Sequence, residues 1–120
     1  MTNTFGPYTP VRKTGSLIFI SGQIGINPQT KIAPTDITAQ TNQAMENMKR
    51  LLESENLSLD MVVKTTVFLT DMNNFQAMNE AYEKWFQGPR PARSAVAVRE
   101  LPRVAGDTTL LVEIEAVAAE

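Results

Sequence analysis

Apolar positions along the chain change their spacing several times, and each spacing predicts a different element. Residues 17–20 form a short apolar run after a Gly15-Ser16 turn signal, which predicts a strand. Ile24 and Ile26 continue the extended pattern, and Asn27-Pro28 marks a turn. The first strand is apolar on both faces, a pattern more typical of a buried strand than of a half-solvated one.

Two segments have helical apolar spacing. The face of the first helix carries Ile37, Thr41, Ala44, Met48, Leu51 and Glu55. Thr35 is its predicted N-cap, and Asn56 is its predicted stop. The face of the second helix carries Phe75, Met78, Tyr82 and Trp85 or Phe86. Gly88-Pro89 is predicted to end this helix.

Three further segments are predicted to be strands. Residues 61–69 are rich in β-type residues that alternate between two faces. One face carries Val63, Thr65, Val67 and Leu69, and the other carries Val62, Lys64, Thr66 and Phe68. The last two strands cover residues 92–99 and about residues 109–118.

The order of strands, helix, strand, helix and strands predicts an α+β fold with both helices on one face of a sheet of about six strands. Two helices cover only one face of such a sheet, yet several strands are apolar on both faces. A large apolar patch does not usually face water. The pattern therefore predicts a homo-oligomer in which copies of the chain bring their uncovered sheet faces together.

Composition removes several classes of chemistry. The chain has 120 residues, 42% of them apolar, which suits one domain over residues 1–120. It has no cysteine and no histidine, so disulfides, thiolate nucleophiles, soft zinc sites and a histidine general base are excluded. No carboxylates cluster at the spacing of a calcium loop, so no metal site is predicted.

Charge and hydropathy argue against nucleic-acid and membrane partners. The formal net charge is −2 and the basic residues are scattered, whereas phosphate binding depends on clustered Lys and Arg. No segment approaches the roughly 18 apolar residues that span a bilayer. The first ten residues lack the cationic-then-apolar order of a signal peptide, so a cytoplasmic protein is predicted.

Arg93 is the first candidate functional residue. In a strand it shares a face with Ala95, Ala97 and Arg99, and the two alanines leave space beside it. A guanidinium over a floor of small residues suits the bidentate binding of a carboxylate. On pattern alone, a surface arginine paired with a nearby glutamate, or with nothing, is the commoner situation.

Glu113 and Glu115 lie on one face of the last predicted strand. A carboxylate there can hold and activate a water molecule, although a solvated edge-strand face is the commoner arrangement. Three other polar residues are candidates for a pocket: Asn79 within the second helical stripe, Tyr8 after Gly6-Pro7, and Ser21 at the end of the first strand. An asparagine such as Asn79 more often bonds a neighbouring loop, and a tyrosine such as Tyr8 usually only packs. At Ser21-Gly22 the backbone can approach a ligand closely, and an ordinary bulge or turn explains the pair equally well.

Taken together, several short segments resemble the RidA/YjgF family of enamine/imine deaminases. They are Gly6-Pro7-Tyr8, Ile20 to Ile24, Asn27-Pro28, Val63 to Leu69, Asn79-x-x-Tyr82, Pro91-Ala92-Arg93-Ser94 and Val112 to Ala116. Each segment alone is modest, but their order along residues 5–118 is specific.

The resemblance implies a chorismate-mutase-like fold, a mixed sheet backed by two helices, and a homotrimer whose sheets meet in a central barrel with sites in the clefts between subunits. It implies hydrolysis of 2-aminoacrylate and related imines, which pyridoxal-phosphate enzymes release, to keto acids and ammonia without a metal or organic cofactor. It also implies a role for each candidate residue. Arg93 falls on the carboxylate-binding arginine and Glu113 on the water-positioning glutamate, while Tyr8, Ser21 and Asn79 fall on substrate-binding positions.

Three positions differ from many relatives. Ala95 stands where a cysteine is common, Arg90 stands where an aromatic residue is common, and the connection over residues 102–109 is longer. Two other functions stay open at this point: a non-catalytic module that binds small keto or amino acids, and an RNA-directed role as a translation inhibitor or ribonuclease.

Overall fold

The structure is a computed structural model that describes residues 4–120. Five strands form one mixed sheet in the order β1-β2-β5-β3-β4, and two α-helices pack on one of its faces. The elements are β1 (Val11–Thr14), β2 (Leu17–Ile24), α1 (Ile37–Ser54), β3 (Val62–Leu69), α2 (Phe75–Glu83), β4 (Ala92–Ala97) and β5 (Val112–Ala119). The predicted α+β class is confirmed.

The strand count is five, whereas the sequence predicted about six. β2 ends at Ile24, and Ile26 is buried in a loop against Ala33, Ala105 and Leu110. Residues 98–111 also run as a loop, in which Gly106 adopts a φ of 61°. Only β3 and β4 pair in parallel, and every other neighbouring pair in the sheet is antiparallel.

Each helix differs from the prediction at one terminus, α1 at its start and α2 at its end. The N-cap of α1 is Asp36, and not Thr35, because the Asp36 carboxylate accepts a hydrogen bond from the amide of Ala39 at 3.0 Å. Asn56 ends α1 as predicted, in a left-handed conformation with a φ of 61°. α2 ends at Glu83, well before Gly88, and the chain then continues in turns.

The core lies between the helices and one face of the sheet. Its largest fully buried side chains are Ile18, Met45, Met48, Leu52, Leu69, Met78 and Ile114. Phe86 joins this core and packs against Tyr82 with ring centroids 5.1 Å apart. Trp85 is half-buried and donates a hydrogen bond from Nε1 to Asn42 at 2.9 Å.

Two bulges interrupt the regular alternation of the strands. In β3, Val62 pairs with Ala118 and Lys64 with Val117, so Val63 is an extra residue. The predicted faces are therefore wrong at this end of the strand, because Val62 is buried and Val63 is 49% exposed. In β2, the register shifts between Ile20 and Gln23, at the Ser21-Gly22 pair.

The face of the sheet away from the helices carries exposed apolar side chains. Leu17 and Phe19 on β2 and Val96 on β4 are all more than two-fifths exposed. Each of them alternates with residues that point towards the helices, as the sequence predicted for strands apolar on both faces. None of the helices within residues 4–120 is long and apolar enough to cross a membrane.

Candidate functional site

The five predicted site residues fall into two groups. Tyr8, Ser21 and Glu113 line one cavity of about 670 Å³. Arg93 and Asn79 lie elsewhere, where β4 meets α2. The structure therefore brings three of the residues together and keeps the other two apart from them.

The N-terminal segment forms one wall of the cavity by crossing the bulge in β2. The amide of Ser21 donates to the carbonyl of Pro10 at 2.9 Å, and its hydroxyl donates to the carbonyl of Thr9 at 2.8 Å. Tyr8 is 45% exposed at the mouth and follows a tight turn in which its amide donates to Gly6. The extra residue in β2 thus presents polar groups at the edge of the sheet, where bulges often serve functional sites.

Glu113 points into the cavity from β5 and lies against the backbone of Gly22. A Cβ atom on Gly22 would stand 2.7 Å from Cδ and 2.9 Å from Cγ of Glu113, closer than ordinary contact. Burial raises the pKa of Glu113, and the neighbouring charge of Glu115 raises it further. A carboxylate with a raised pKa accepts a proton more readily than an exposed one, which suits a group that activates water.

The lining of the cavity is mostly apolar. Its apolar side chains include Ile24, Ile26, Leu51, Pro102 and Val104. Residues 102–109, the connection predicted to be long, therefore contribute to the wall of this cavity. Asn47 fixes the rim, because its amide donates to the carbonyls of Ile24 and Ile26 at 3.0 and 2.9 Å. Asn47 was not predicted as a site residue, although its position beside the apolar stripe of α1 could have indicated a polar contact there.

Arg93 lies on the helix-covered face of the sheet, against α2. Its guanidinium carbon is 5.1 Å from the ring centroid of Tyr82 and 5.7 Å from that of Phe75, and Nη1 approaches the sulfur of Met78 at 3.9 Å. These side chains fill the space beside Arg93 that the two alanines of the strand were predicted to leave open. Within residues 4–120, Arg93 makes no ion pair with a carboxylate.

Asn79 shares the face of α2 that holds Arg93, since it lies four residues after Phe75 and three before Tyr82. Its Oδ1 atom is buried and has no hydrogen-bond partner in the described part of the chain. A buried acceptor without a partner is uncommon in folded proteins. Asn79 therefore holds an unused hydrogen-bond acceptor on the same helix face that packs against Arg93.

Arg93 and Glu113 point to opposite faces of the sheet. In the ladders of β3, Arg93 lies opposite Thr65 and Glu113 lies opposite Phe68, and these two β3 residues face opposite sides. Two strand spacings and three residue rises separate the Cα atoms of Arg93 and Glu113 by about 14 Å. A ligand the size of an amino acid cannot touch both side chains within one chain.

No group of three His, Cys, Asp or Glu residues in the described range is arranged to hold a metal ion. The polar groups that converge in the two halves are a carboxylate, a guanidinium, an amide and hydroxyls. Such groups bind and orient small polar molecules and transfer protons through water.

A family model described as Endoribonuclease L-PSP matches residues 1–120. The chain therefore belongs to this family, which includes the proteins named YjgF, RidA and RutC, and the resemblance found in the sequence is confirmed.

Individual relatives have more specific names. A RutC family protein of Pyrococcus horikoshii is 47% identical over 114 residues, covering 94% of this chain and 86% of that protein. The 2-iminobutanoate/2-iminopropanoate deaminase of Escherichia coli K12 is 40% identical over 116 residues, covering 94% and 87%. The crystal structure of Escherichia coli TdcF with bound serine has a TM-score of 0.90 and 38% identity, covering 98% of this chain and 91% of TdcF.

Proposed function

We propose that this protein hydrolyses 2-imino acids, and the enamines from which they form, to 2-keto acids and ammonia. The observation that carries the proposal is that one chain holds two incomplete half-sites on opposite faces of its sheet. One half offers a guanidinium without a counterion, and the other offers a carboxylate whose pKa is raised by burial. The deaminase name of the Escherichia coli relative supports this reaction, and the serine bound to TdcF supports a ligand of amino-acid size.

The active site in this proposal is shared by two subunits. Arg93 and Asn79 of one subunit meet Tyr8, Ser21 and Glu113 of another, because one chain holds the two groups on opposite faces of its sheet. The exposed apolar side chains of Leu17, Phe19 and Val96 supply a surface through which copies of the chain associate. We propose a homotrimer with three such sites, the arrangement that the family resemblance implies.

The proposed chemistry begins with recognition of the ligand. Arg93 binds the substrate carboxylate through two parallel hydrogen bonds, which fixes the position of the C=N carbon. The free Oδ1 of Asn79 accepts a hydrogen bond from the imine N–H. The hydroxyl of Ser21 already donates to Thr9, so it serves the ligand as an acceptor. Tyr8 closes the mouth of the cavity.

Hydrolysis then proceeds through Glu113. The carboxylate accepts a proton from a water molecule as the water oxygen bonds to the imine carbon and the C=N electrons move to nitrogen. The proton passes to that nitrogen and gives a carbinolamine. Glu113 then takes the hydroxyl proton and delivers it to the nitrogen, so the C=O bond forms as the C–N bond breaks, and the keto acid and ammonia leave. An imine is already electrophilic, so water and these side chains suffice, and we propose that the enzyme needs no metal or organic cofactor. A positioned acid–base group of this kind contributes about 10²–10⁴ in rate.

A binding module for small amino or keto acids is the second candidate, and the serine bound to TdcF favours it. Such a module needs Arg93 and Asn79 but has no use for a carboxylate with a raised pKa in the cavity. Turnover, measured beside ligand affinity from calorimetry, distinguishes the two functions. In a binding module, Glu113→Gln leaves affinity intact and there is no turnover to lose.

RNA cleavage is the activity that the family description names. Glu113 and Glu115 line the cavity together with Lys31 and Arg50, so the cavity has no excess of positive charge for a phosphate backbone. The chain also lacks histidine and has a net charge of −2. A salt-dependent mobility shift with RNA would favour an RNA-directed role instead.

A coupled assay tests the proposed reaction. A serine or threonine dehydratase generates the imine in solution, and semicarbazide competes with the protein for it. We expect the native protein to speed keto-acid release and to reduce the trapped product, and Arg93→Ala and Glu113→Gln each to abolish both effects. Arg90→Ala is the matched control, because Arg90 is exposed and already lies 3.6 Å from the carboxylate of Glu83. No acceleration by the native protein with either amino acid would refute the deaminase proposal.

A further inference from the structure

Arg93 is held in place without the help of a carboxylate. An arginine side chain in water samples many rotamers, and fixing it in one of them has an entropic cost. Four other basic residues in the described range are held by ion pairs: Lys13, Arg50, Arg90 and Arg103. An ion pair at Arg93 would fix the side chain as well, but it would also occupy the donors and neutralise the charge that a ligand needs.

Three side chains of α2 replace the missing carboxylate. Phe75, Met78 and Tyr82 follow each other at helical spacing and form one stripe beneath Arg93. The guanidinium carbon lies 5.7 Å from the Phe75 ring centroid and 5.1 Å from the Tyr82 ring centroid, within the range of cation–π attraction. Aromatic faces attract the cation without competing strongly for its N–H groups, which stay available to a ligand.

A buried hydrogen bond to the sheet holds the side chain of Tyr82 in place. Its hydroxyl shares a hydrogen bond of 2.7 Å with Oγ1 of Thr65, and neither residue is exposed to solvent by more than 4%. Thr65 lies directly opposite Arg93 in the parallel ladder between β3 and β4. The same strand position therefore fixes both the backbone of Arg93 and the ring on which its guanidinium rests.

We propose that Tyr82, anchored by Thr65 and assisted by Phe75, is a positioning residue that presents the Arg93 guanidinium to the ligand carboxylate with its charge and its N–H donors free. The proposal rests on the function proposed above, in which Arg93 binds the substrate carboxylate. It gives the α2 stripe a role besides packing, and it accounts for a threonine at 0% exposure in a central strand.

The kinetic test compares variants of the full-length protein in the coupled imine assay. Tyr82→Leu removes the nearer ring, and we expect KM to rise about fivefold to thirtyfold, the range that a cation–π contact of 1–2 kcal/mol implies, with kcat nearly unchanged. Phe75→Leu removes the farther ring from a partly exposed position, so it tests the same effect with less disturbance of the core. Tyr82→Phe keeps the ring and should restore most of the affinity.

Trp85→Leu is the matched control. Trp85 is a half-buried aromatic residue just beyond α2, and its indole donates to Asn42 and makes no contact with Arg93. A general loss of packing should affect Trp85→Leu and Phe75→Leu alike, whereas the proposal predicts a rise in KM for Phe75→Leu only. Equal KM values in Phe75→Leu, Tyr82→Leu and the native protein would overturn the proposal.

A spectroscopic test needs no turnover. In the ligand-free protein we expect the Arg93 Nε–H group to give a resolved ¹⁵N resonance with a high order parameter, which falls towards that of exposed Arg90 in Tyr82→Leu. If the native protein fails to hydrolyse imines but the resonance behaves this way, the deaminase proposal fails and the positioning role stands. An Arg93 resonance that is equally ordered in both proteins refutes the positioning role alone.

Discussion

The carboxyl group of Glu113 occupies the space in which a side chain on Gly22 would begin. Gly22 belongs to the bulge that shifts the register between β2 and β5. The bulge therefore leaves space for the carboxylate, at a place where the N-terminal segment is hydrogen-bonded to β2.

Gly22→Ala is expected to displace the Glu113 carboxylate. Its Cβ would stand 2.7 Å from Cδ of Glu113, so the side chain must rotate away from the cavity. We expect imine hydrolysis to fall about as far as it does in Glu113→Gln, by about 10²-fold or more, while ligand affinity through Arg93 is kept. Gly88→Ala is the control, since a Cβ there meets nothing within 4 Å. Full activity in Gly22→Ala would argue against the role of Glu113.

The pH dependence of turnover should respond to Glu115. The Glu115 charge raises the pKa of Glu113, second to burial, and Glu115→Gln removes that contribution. If Glu113 acts as a carboxylate, activity falls when the pH drops through its pKa. We therefore expect the acidic limb of the kcat profile to move to lower pH in Glu115→Gln. An unmoved limb would mean that another group controls it.

Stability should also depend on the ionisation of Glu113. Its folded-state pKa is raised above the unfolded value, so its favourable contribution is fully present below the unfolded pKa and is lost as the pH rises through the folded pKa. Glutamine does not ionise, so the Glu113→Gln variant lacks this loss of stability. The free energy of unfolding of the variant minus that of the native protein should therefore increase from acid to neutral pH. Urea unfolding at several pH values measures this difference, and a constant difference would contradict it.

A shared site predicts recovery of activity when two inactive variants are mixed. Neither Arg93→Ala nor Glu113→Gln has a complete site as a pure oligomer. In a randomly assembled equal mixture, about a quarter of the sites combine an intact Arg93 with an intact Glu113 from a neighbour. Co-expression with two different tags, followed by the coupled assay, measures the recovery. If instead each site were contained in one subunit, the mixture would show only the sum of the activities of the separate variants.

Phe19→Asp should separate the subunits. Phe19 is 45% exposed on the sheet face away from the helices, so a charge there leaves the core intact but opposes burial of that face. We expect a folded monomer by light scattering and circular dichroism, with imine hydrolysis lost. Ile32→Asp is the control, because Ile32 is 65% exposed in a loop away from the sheet. An active monomer would exclude a site between subunits.

The sequence predicted a helix or strand well where the residues of that element alone define its apolar spacing. The apolar run at residues 17–20 and the β-type segments farther along located β2 to β5, and the stripe of Phe75, Met78 and Tyr82 located α2, whereas β1 was not predicted. It failed at Val63, and it placed Ser21-Gly22 at the end of a strand, whereas β2 continues through a bulge there to Ile24. The reason in both places is that an extra residue is defined only against the partner strand.

The candidate site was predictable as a set of residues but not as an arrangement. Alternation shows which residues of one strand share a face, and it does not show which face meets the helices. The sequence therefore grouped Arg93 with an open floor of alanines, whereas the structure places aromatic side chains of α2 there. The opposed directions of Arg93 and Glu113 follow from the strand order, which depends on contacts between distant segments.

Without a ligand, the guanidinium of Arg93 has no counterion and Oδ1 of Asn79 has no hydrogen-bond partner. The ligand-free protein is therefore less stable than the same fold with both groups bonded. A bound ligand satisfies both groups and stabilises the folded state in proportion to its occupancy. Unfolded chains are removed by cellular proteases, so the lifetime of this protein should lengthen when its ligand is abundant and shorten when it is scarce. The supply of ligand would then help to set how much of the protein a cell retains.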